Sequence, residues 1–129
     1  MEGSVISIVD DDASLRTAIA RLLRSMGCAA HAFPSAREFL RSPRLSDTAC
    51  LIADVEMPDM SGIKLQEYLI ANGHTTPMIF ITAFPEERIR DQAMKAGAIA
   101  FLTKPFDESR LLECVEQALE RSCGRRNDT

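Results

Sequence analysis

The residues of this chain best suited to chemistry are oxygen acids that arrive in company. Asp10, Asp11 and Asp12 stand in a row directly after an apolar run at residues 5–9. Asp54 follows a second run at 49–53, Thr82 a third at 78–81, and Thr103, Lys104 and Pro105 a fourth at 98–102. Each has a plain explanation when taken singly. An Asp between a strand and a helix is most often an N-cap, a role open here to Asp12 or Ser14; Thr82 reads as a loop hydroxyl and Lys104 as a solvated charge. The combination says more. Carboxylates crowded together repel, and at least one pKa must rise unless a cation intervenes. Ligands that are all oxygen favour Mg2+, which takes one or two carboxylates and keeps several waters. Acids, a hydroxyl and an amine gathered in one place suit phosphoryl transfer to a carboxylate. Asp54 would be the nucleophile, with Mg2+ held by Asp11 and Asp54. Thr82 would donate one hydrogen bond, and Lys104 would supply a compact positive charge.

That gathering depends on the elements that carry these residues. Five short apolar runs, at 5–9, 28–33, 49–53, 78–81 and 98–102, alternate with five stretches of helical period. The first, third and fourth are almost wholly apolar, as strands covered on both faces should be. The second, Cys28-Ala29-Ala30-His31-Ala32-Phe33, is weaker and suits an edge. Leu15, Ile19, Leu22, Leu23 and Met26 recur on one helical face, with Arg16, Arg21 and Arg24 on the other and Gly27 as a stop. Ser35 followed by Glu38 forms a capping-box pattern for a second helix. Leu65, Tyr68 and Leu69 mark a third helix, Ile89, Ala93 and Ala96 a fourth ending at Gly97, and Leu111, Leu112, Val115, Ala118 and Leu119 a fifth opened by Asp107 or Ser109. A strand and a helix repeated five times predict an α/β parallel sheet with helices on both faces. Ligands of such sheets bind beyond the carboxyl ends of the strands, where the four candidate groups fall.

Composition narrows the classes. Lys plus Arg number 15 against 19 Asp plus Glu, a formal charge of −4, which argues against a surface built to hold nucleic acid. No apolar run is long enough for a membrane helix, and the N-terminus has no signal-peptide pattern. Cys28, Cys50, Cys114 and Cys123 make no C-x-x-C pair and read as small buried thiols in a reducing compartment, so a cytoplasmic location is expected. His31 and His74 are isolated and are given no catalytic role.

At these residues the chain resembles a response-regulator receiver domain of two-component signalling, of the FixJ/NarL or NtrC type. The matching segments are Ile8-Val9-Asp10-Asp11-Asp12, the stretch Asp54-Val55-Glu56-Met57-Pro58-Asp59-Met60-Ser61-Gly62, Ile81-Thr82-Ala83, Ala93-Met94-Lys95-Ala96-Gly97-Ala98 and Phe101-Leu102-Thr103-Lys104-Pro105-Phe106. They occur in the family's order and spacing across about residues 4–121. The resemblance implies a flavodoxin-like (βα)5 three-layer sandwich with strand order 2-1-3-4-5, an order the general account of such folds already gives for a receiver. It implies that Asp54 accepts a phosphoryl group from a sensor histidine kinase. Asp11 would bind Mg2+ directly, Asp10 mostly through water, and the backbone carbonyl of Glu56 would be a further ligand. Thr82 and Lys104 would contact the phosphoryl oxygens. Phe101 would be the switch aromatic that turns inward when Thr82 moves, and the Lys104–Pro105 bond is expected to be cis. The plainer readings are that Phe101 fills core, that Pro58 and Gly62 punctuate a turn, and that Met57 and Met60 fill gaps.

Two side chains look particular to this chain. Glu56, two residues past the acceptor, would face the phosphoryl group and alter its lifetime. Phe84, two past Thr82, would either restrict water or a phosphatase, or simply pack against the fourth helix. That helix carries Glu86, Glu87, Arg88, Arg90, Asp91 and Lys95, and the fifth carries Glu108, Arg110, Glu113, Glu116 and Glu120. In receivers the surface of the fourth helix, fifth strand and fifth helix dimerises or docks an output partner after phosphorylation, although mixed charge equally describes a solvated face. The domain is expected at 1–121, with 122–129 a polar tail or the start of a linker. No helix-turn-helix follows within these residues, so no direct nucleic-acid contact is expected of them. The reading carries three rivals. A haloacid-dehalogenase-like phosphatase would use Asp10-Asp11-Asp12, but only Asp107 and Glu108 follow Lys104 as the second acid it needs. A flavodoxin-like FMN carrier would want Gly, Ser or Thr in the first loop and aromatic rings for stacking, and the chain has no Trp and one Tyr. A pseudo-receiver would bind partners without being phosphorylated.

Overall fold

The structure is a computed structural model that describes residues 3–127, with side chains through residue 121. Five strands, β1 (Val5–Val9), β2 (Ala29–Phe33), β3 (Cys50–Asp54), β4 (Met78–Thr82) and β5 (Ala100–Thr103), form one parallel sheet in the order β2-β1-β3-β4-β5. The helices are α1 (Ala13–Ser25), α2 (Ala36–Arg41), α3 (Arg44–Asp47), α4 (Gly62–Ala71), α5 (Glu87–Lys95) and α6 (Glu108–Asn127).

Alternation along the strands divides the core in two. Ile6, Ile8, Cys50, Ile52, Ile79, Ile81 and Leu102 face one side, where α1 and α6 cover them with Ile19, Leu23, Leu111 and Val115. Val9, Leu51, Ala53, Met78 and Phe80 face the other, under Phe39 of α2, Ile63, Leu65 and Leu69 of α4, and Ala93 of α5. The result is the expected three-layer flavodoxin-like sandwich. β1, β3 and β4 are buried almost throughout, because each has strands on both flanks and helices on both faces, whereas β2 is a half-exposed edge.

The sequence expectations differ from the structure in a few places. The short α3 has no counterpart among the five helices expected, so the expected fourth and fifth helices are α5 and α6. β5 begins at Ala100 rather than Ala98, because the Ala98 N–H turns back to the Ala93 carbonyl at 3.1 Å to close α5, with Gly97 at φ +104 making the turn. Met26 has left helical geometry as the C-cap of α1 and is 46% exposed, so it does not belong to the core face. Tyr68 is also exposed. The backbone of α6 continues helically to Asn127, past the expected start of the tail at 122. Cys28, Cys50 and Cys114 are buried and not disulfide-bonded, while the side chain of Cys123 lies outside the described residues. Burial pushes the three described thiols up, which keeps them protonated and inert. Among the described residues no helix is long and apolar enough to cross a membrane.

Candidate functional site

Register determines what meets at the carboxyl rim. Val9 pairs with Ala53, Asp54 with Ile81, and Thr82 with Thr103. The residues that end β1, β3, β4 and β5 therefore come side by side, and the four groups expected together are together.

Asp10 is fully buried. Its Oδ1 accepts the Asp12 N–H at 2.8 Å, its Oδ2 accepts from Lys104 Nζ at 3.0 Å, and its carbonyl accepts from Arg16 Nη1 at 2.7 Å. Asp12 caps α1 by accepting the N–H groups of Ser14 and Leu15 at 3.0 and 3.3 Å. Asp11 and Asp12 are both exposed, and with Asp12 committed to the cap, Asp11 is the exposed carboxylate that stands beside Asp10 and Asp54. Asp54 is 5% exposed; its Oδ1 accepts the Glu56 N–H at 3.1 Å and its Oδ2 accepts from Lys104 Nζ at 3.0 Å. Carboxylate oxygens of Asp10, Asp11 and Asp54 lie within 4.8 Å of one another. An all-oxygen donor set at that spacing fits a hard divalent cation such as Mg2+.

Lys104 is positioned by its own N–H, which donates to the Thr82 carbonyl at 2.7 Å, and by the cis Lys104–Pro105 bond that follows it. Its ammonium bridges Asp10 and Asp54, rather than pairing with Asp54 alone. Burial pulls the Lys104 ammonium down, but its hydrogen bonds to the two carboxylates outweigh this and hold it above its ordinary value. Asp10 is pushed up. Burial is the main cause, repulsion from Asp54 is a lesser one, and the Asp12 N–H and Lys104 oppose both. The expected rise in a crowded carboxylate is present, although a cation does intervene, because desolvation dominates.

Gly62 is more than punctuation. A Cβ there would collide with the Asp54 carbonyl and approach the Phe80 ring at 3.1 Å, so only glycine lets α4 start directly over the end of β3. The loop reaching it is pinned by Val55 N–H on the Ile81 carbonyl at 3.0 Å and by Gly62 N–H on the Val55 carbonyl at 2.9 Å. Pro58 sits exposed within that loop, and Asp59 ties it to α2 by accepting the Arg37 N–H at 3.0 Å.

Thr82 is fully buried, and its hydroxyl is committed. It donates to Glu56 Oε1 at 2.8 Å and accepts the Phe84 N–H at 3.0 Å. The Glu56 side chain thus lies on the Thr82 hydroxyl, a pairing that spacing along the chain could not reveal. The Phe84 ring is 71% exposed, which leaves it little packing against α5. Phe101 lies across from Phe80 in the strand register, with ring centroids 6.2 Å apart, and is half-buried. The Arg16 contact to Asp10 has one signal in the sequence, the place of the arginine six residues on and one turn into α1.

A sequence profile described as the response regulator receiver domain matches residues 6–116. Nodulation protein W of Bradyrhizobium diazoefficiens is 41% identical over 123 residues, covering 95% of this chain and 54% of that protein. Transcriptional regulatory protein FixJ of Azorhizobium caulinodans is 36% identical over 129 residues, covering 98% of this chain and 61% of that protein. The solved structure of response regulator StyR superposes with a TM-score of 0.91 at 44% identity, covering 98% of this chain and 64% of that one. The chain spans little more than half the length of the curated relatives it matches.

Proposed function

The chain belongs to the response regulator receiver domain family, and from that premise we propose that Asp54 is its phospho-acceptor, charged by a sensor histidine kinase. A receiver is a signalling switch rather than an enzyme in the usual sense, and the phosphoryl group is its input. A carboxylate oxygen of Asp54 attacks phosphorus, the bond from phosphorus to the donor histidine nitrogen breaks, and an acyl phosphate forms as the imidazole leaves. The observation that carries this reading is the Lys104 ammonium held at 3.0 Å from both Asp10 and Asp54, beside a third carboxylate. Lys104 is then placed to follow the phosphoryl oxygens as charge builds on them. Asp11, Asp54 and the Glu56 carbonyl would hold Mg2+, with Asp10 contributing indirectly, and an ion bound there would supply positive charge beside those oxygens.

The output follows from Thr82. For its hydroxyl to reach a phosphoryl oxygen it must leave Glu56, and Phe101 turns inward into the space beside β4 as it does so. The surface of α5, β5 and α6 changes with it and controls a homodimer or an output partner. The coupling needed is modest, about 1–3 kcal/mol. The domain itself is placed in the cytoplasm, its partners are the histidine kinase and an output protein or domain, and it makes no direct nucleic-acid contact.

Incubation with Mg2+ and a small acyl phosphate donor should give one labile phosphoryl adduct, lost in Asp54→Asn. An adduct on Asp10 would instead indicate a phosphatase-type nucleophile, and no adduct at all a partner-binding scaffold. Glu56 bonds the hydroxyl that must move and faces water attacking the acyl phosphate. Glu56→Gln should therefore change the rate of dephosphorylation several-fold, and identical decay of the two proteins would remove Glu56 from the mechanism.

A further inference from the structure

Gln66 is a buried polar side chain that the phosphoryl site does not use. It is 3% exposed, set among Ile63, Leu65 and Leu69 on the inner face of α4. Its Nε2 donates across to α5, to the Ala93 carbonyl at 3.1 Å. Ala93 is the one buried residue of α5, and the same carbonyl receives the Ala98 N–H that closes the helix. A buried amide left without its acceptor shifts an equilibrium by roughly ten- to a hundredfold. A displacement of α5 along α4 is therefore opposed at this point.

The two helices joined by this bond belong to different parts of the machinery. One turn before Gln66, Gly62 rests on the Asp54 carbonyl and fixes α4 to the acceptor strand. The chain leaving Thr82 runs through residues 83–86 straight into α5, with the Phe84 N–H on the Thr82 hydroxyl. In this arrangement that hydroxyl is bonded to Glu56. We infer that Gln66 is a positioning residue: its bond to Ala93 holds α5 in the place that goes with Thr82 on Glu56, and so sets how readily a phosphoryl group on Asp54 throws the switch. The inference rests on the acceptor role of Asp54 argued above.

The test uses the whole chain with Mg2+, titrated with beryllofluoride as a phosphoryl mimic and followed by the amide resonances of Asp54 and Thr82. Gln66→Met keeps an unbranched side chain of similar length and removes the donor. A tether specific to one arrangement predicts that this variant binds beryllofluoride about two- to tenfold more tightly than wild type. A merely structural glutamine weakens both arrangements alike, so equal affinity in the folded variant overturns the inference alone. If wild type takes up no beryllofluoride, the acceptor reading fails first and this inference falls with it. Should Gln66→Met not fold, hydrogen exchange on wild type decides. Beryllofluoride should speed exchange at residues 90–95 of α5 and leave residues 65–69 of α4 protected; unchanged protection of α5 overturns the tether.

Discussion

Asp54 and Thr82 end neighbouring strands, yet the chain beyond each is held very differently. Beyond Asp54, the loop is pinned to Ile81 and to Val55, Ser61 caps α4 by accepting the Lys64 N–H at 3.1 Å, and Gly62 lies against the carbonyl of Asp54 itself. α4 then buries five of its ten residues. Beyond Thr82, four exposed residues lead into α5, which buries one of nine and has no side-chain cap at Glu86. Under the proposed function the Asp54 side has to be rigid, because a nucleophilic carboxylate displaced by an ångström loses its in-line geometry. The Thr82 side, which on the same proposal reports phosphorylation, has to lie at the low end of local stability, or a few kcal/mol could not move it.

The contrast can be broken most severely at Gly62. Gly62→Ala should cost about 3 kcal/mol in urea unfolding, the scale of overpacking against backbone that cannot give way. Phe84→Ala, across the divide, should fall within about 0.5 kcal/mol of wild type. A similar cost for both would erase the distinction. A smaller effect, of opposite sign, is expected at Asp10. Its folded pKa is raised above the ordinary 3.8, so its charge opposes folding. That cost is absent at low pH, grows as pH rises past 3.8 and is complete above the folded-state pKa. Asp10→Asn should therefore raise the melting temperature of the metal-free protein at pH 7 and leave it nearly unchanged below the ordinary value. A destabilised variant at pH 7 would mean that the Lys104 bridge outweighs burial. The smallest effect sharpens the loose side. Glu86→Ser supplies the missing cap and should stabilise by about 0.5–1 kcal/mol, with slower amide exchange confined to α5.

Much of this was legible in the chain. The apolar runs gave all five strands, since a strand enclosed on every side leaves a continuous hydrophobic signature, and the weaker run, with His31 among alanines, is the edge strand. Acids, hydroxyl and amine at the strand ends located the site, because parallel strands deliver all their carboxyl ends to one rim. What stayed hidden depends on distance in three dimensions. α3 is one turn with a single Leu, flanked by Pro43 and polar residues, too short to show a period. The run 98–102 could not show that Ala98 closes a helix before the strand begins. The Thr82 to Glu56, Arg16 to Asp10 and Gln66 to Ala93 bonds each join groups whose meeting is decided by packing and by rotamer. The need for glycine at 62 shows only when the Asp54 carbonyl is seen beneath it.

The Lys104 bridge has a consequence for the protein's birth. Its two ends are 94 positions apart in the chain, the first strand at one and the last strand at the other. At roughly 5–20 residues per second, a ribosome releases Asp10 and then takes about 5–20 seconds to supply the amine that neutralises it. Closing so long a loop adds little further entropy, so the delay is one of supply rather than of search. The amine that offsets the buried Asp10 carboxylate is therefore supplied only once translation has passed the fifth strand.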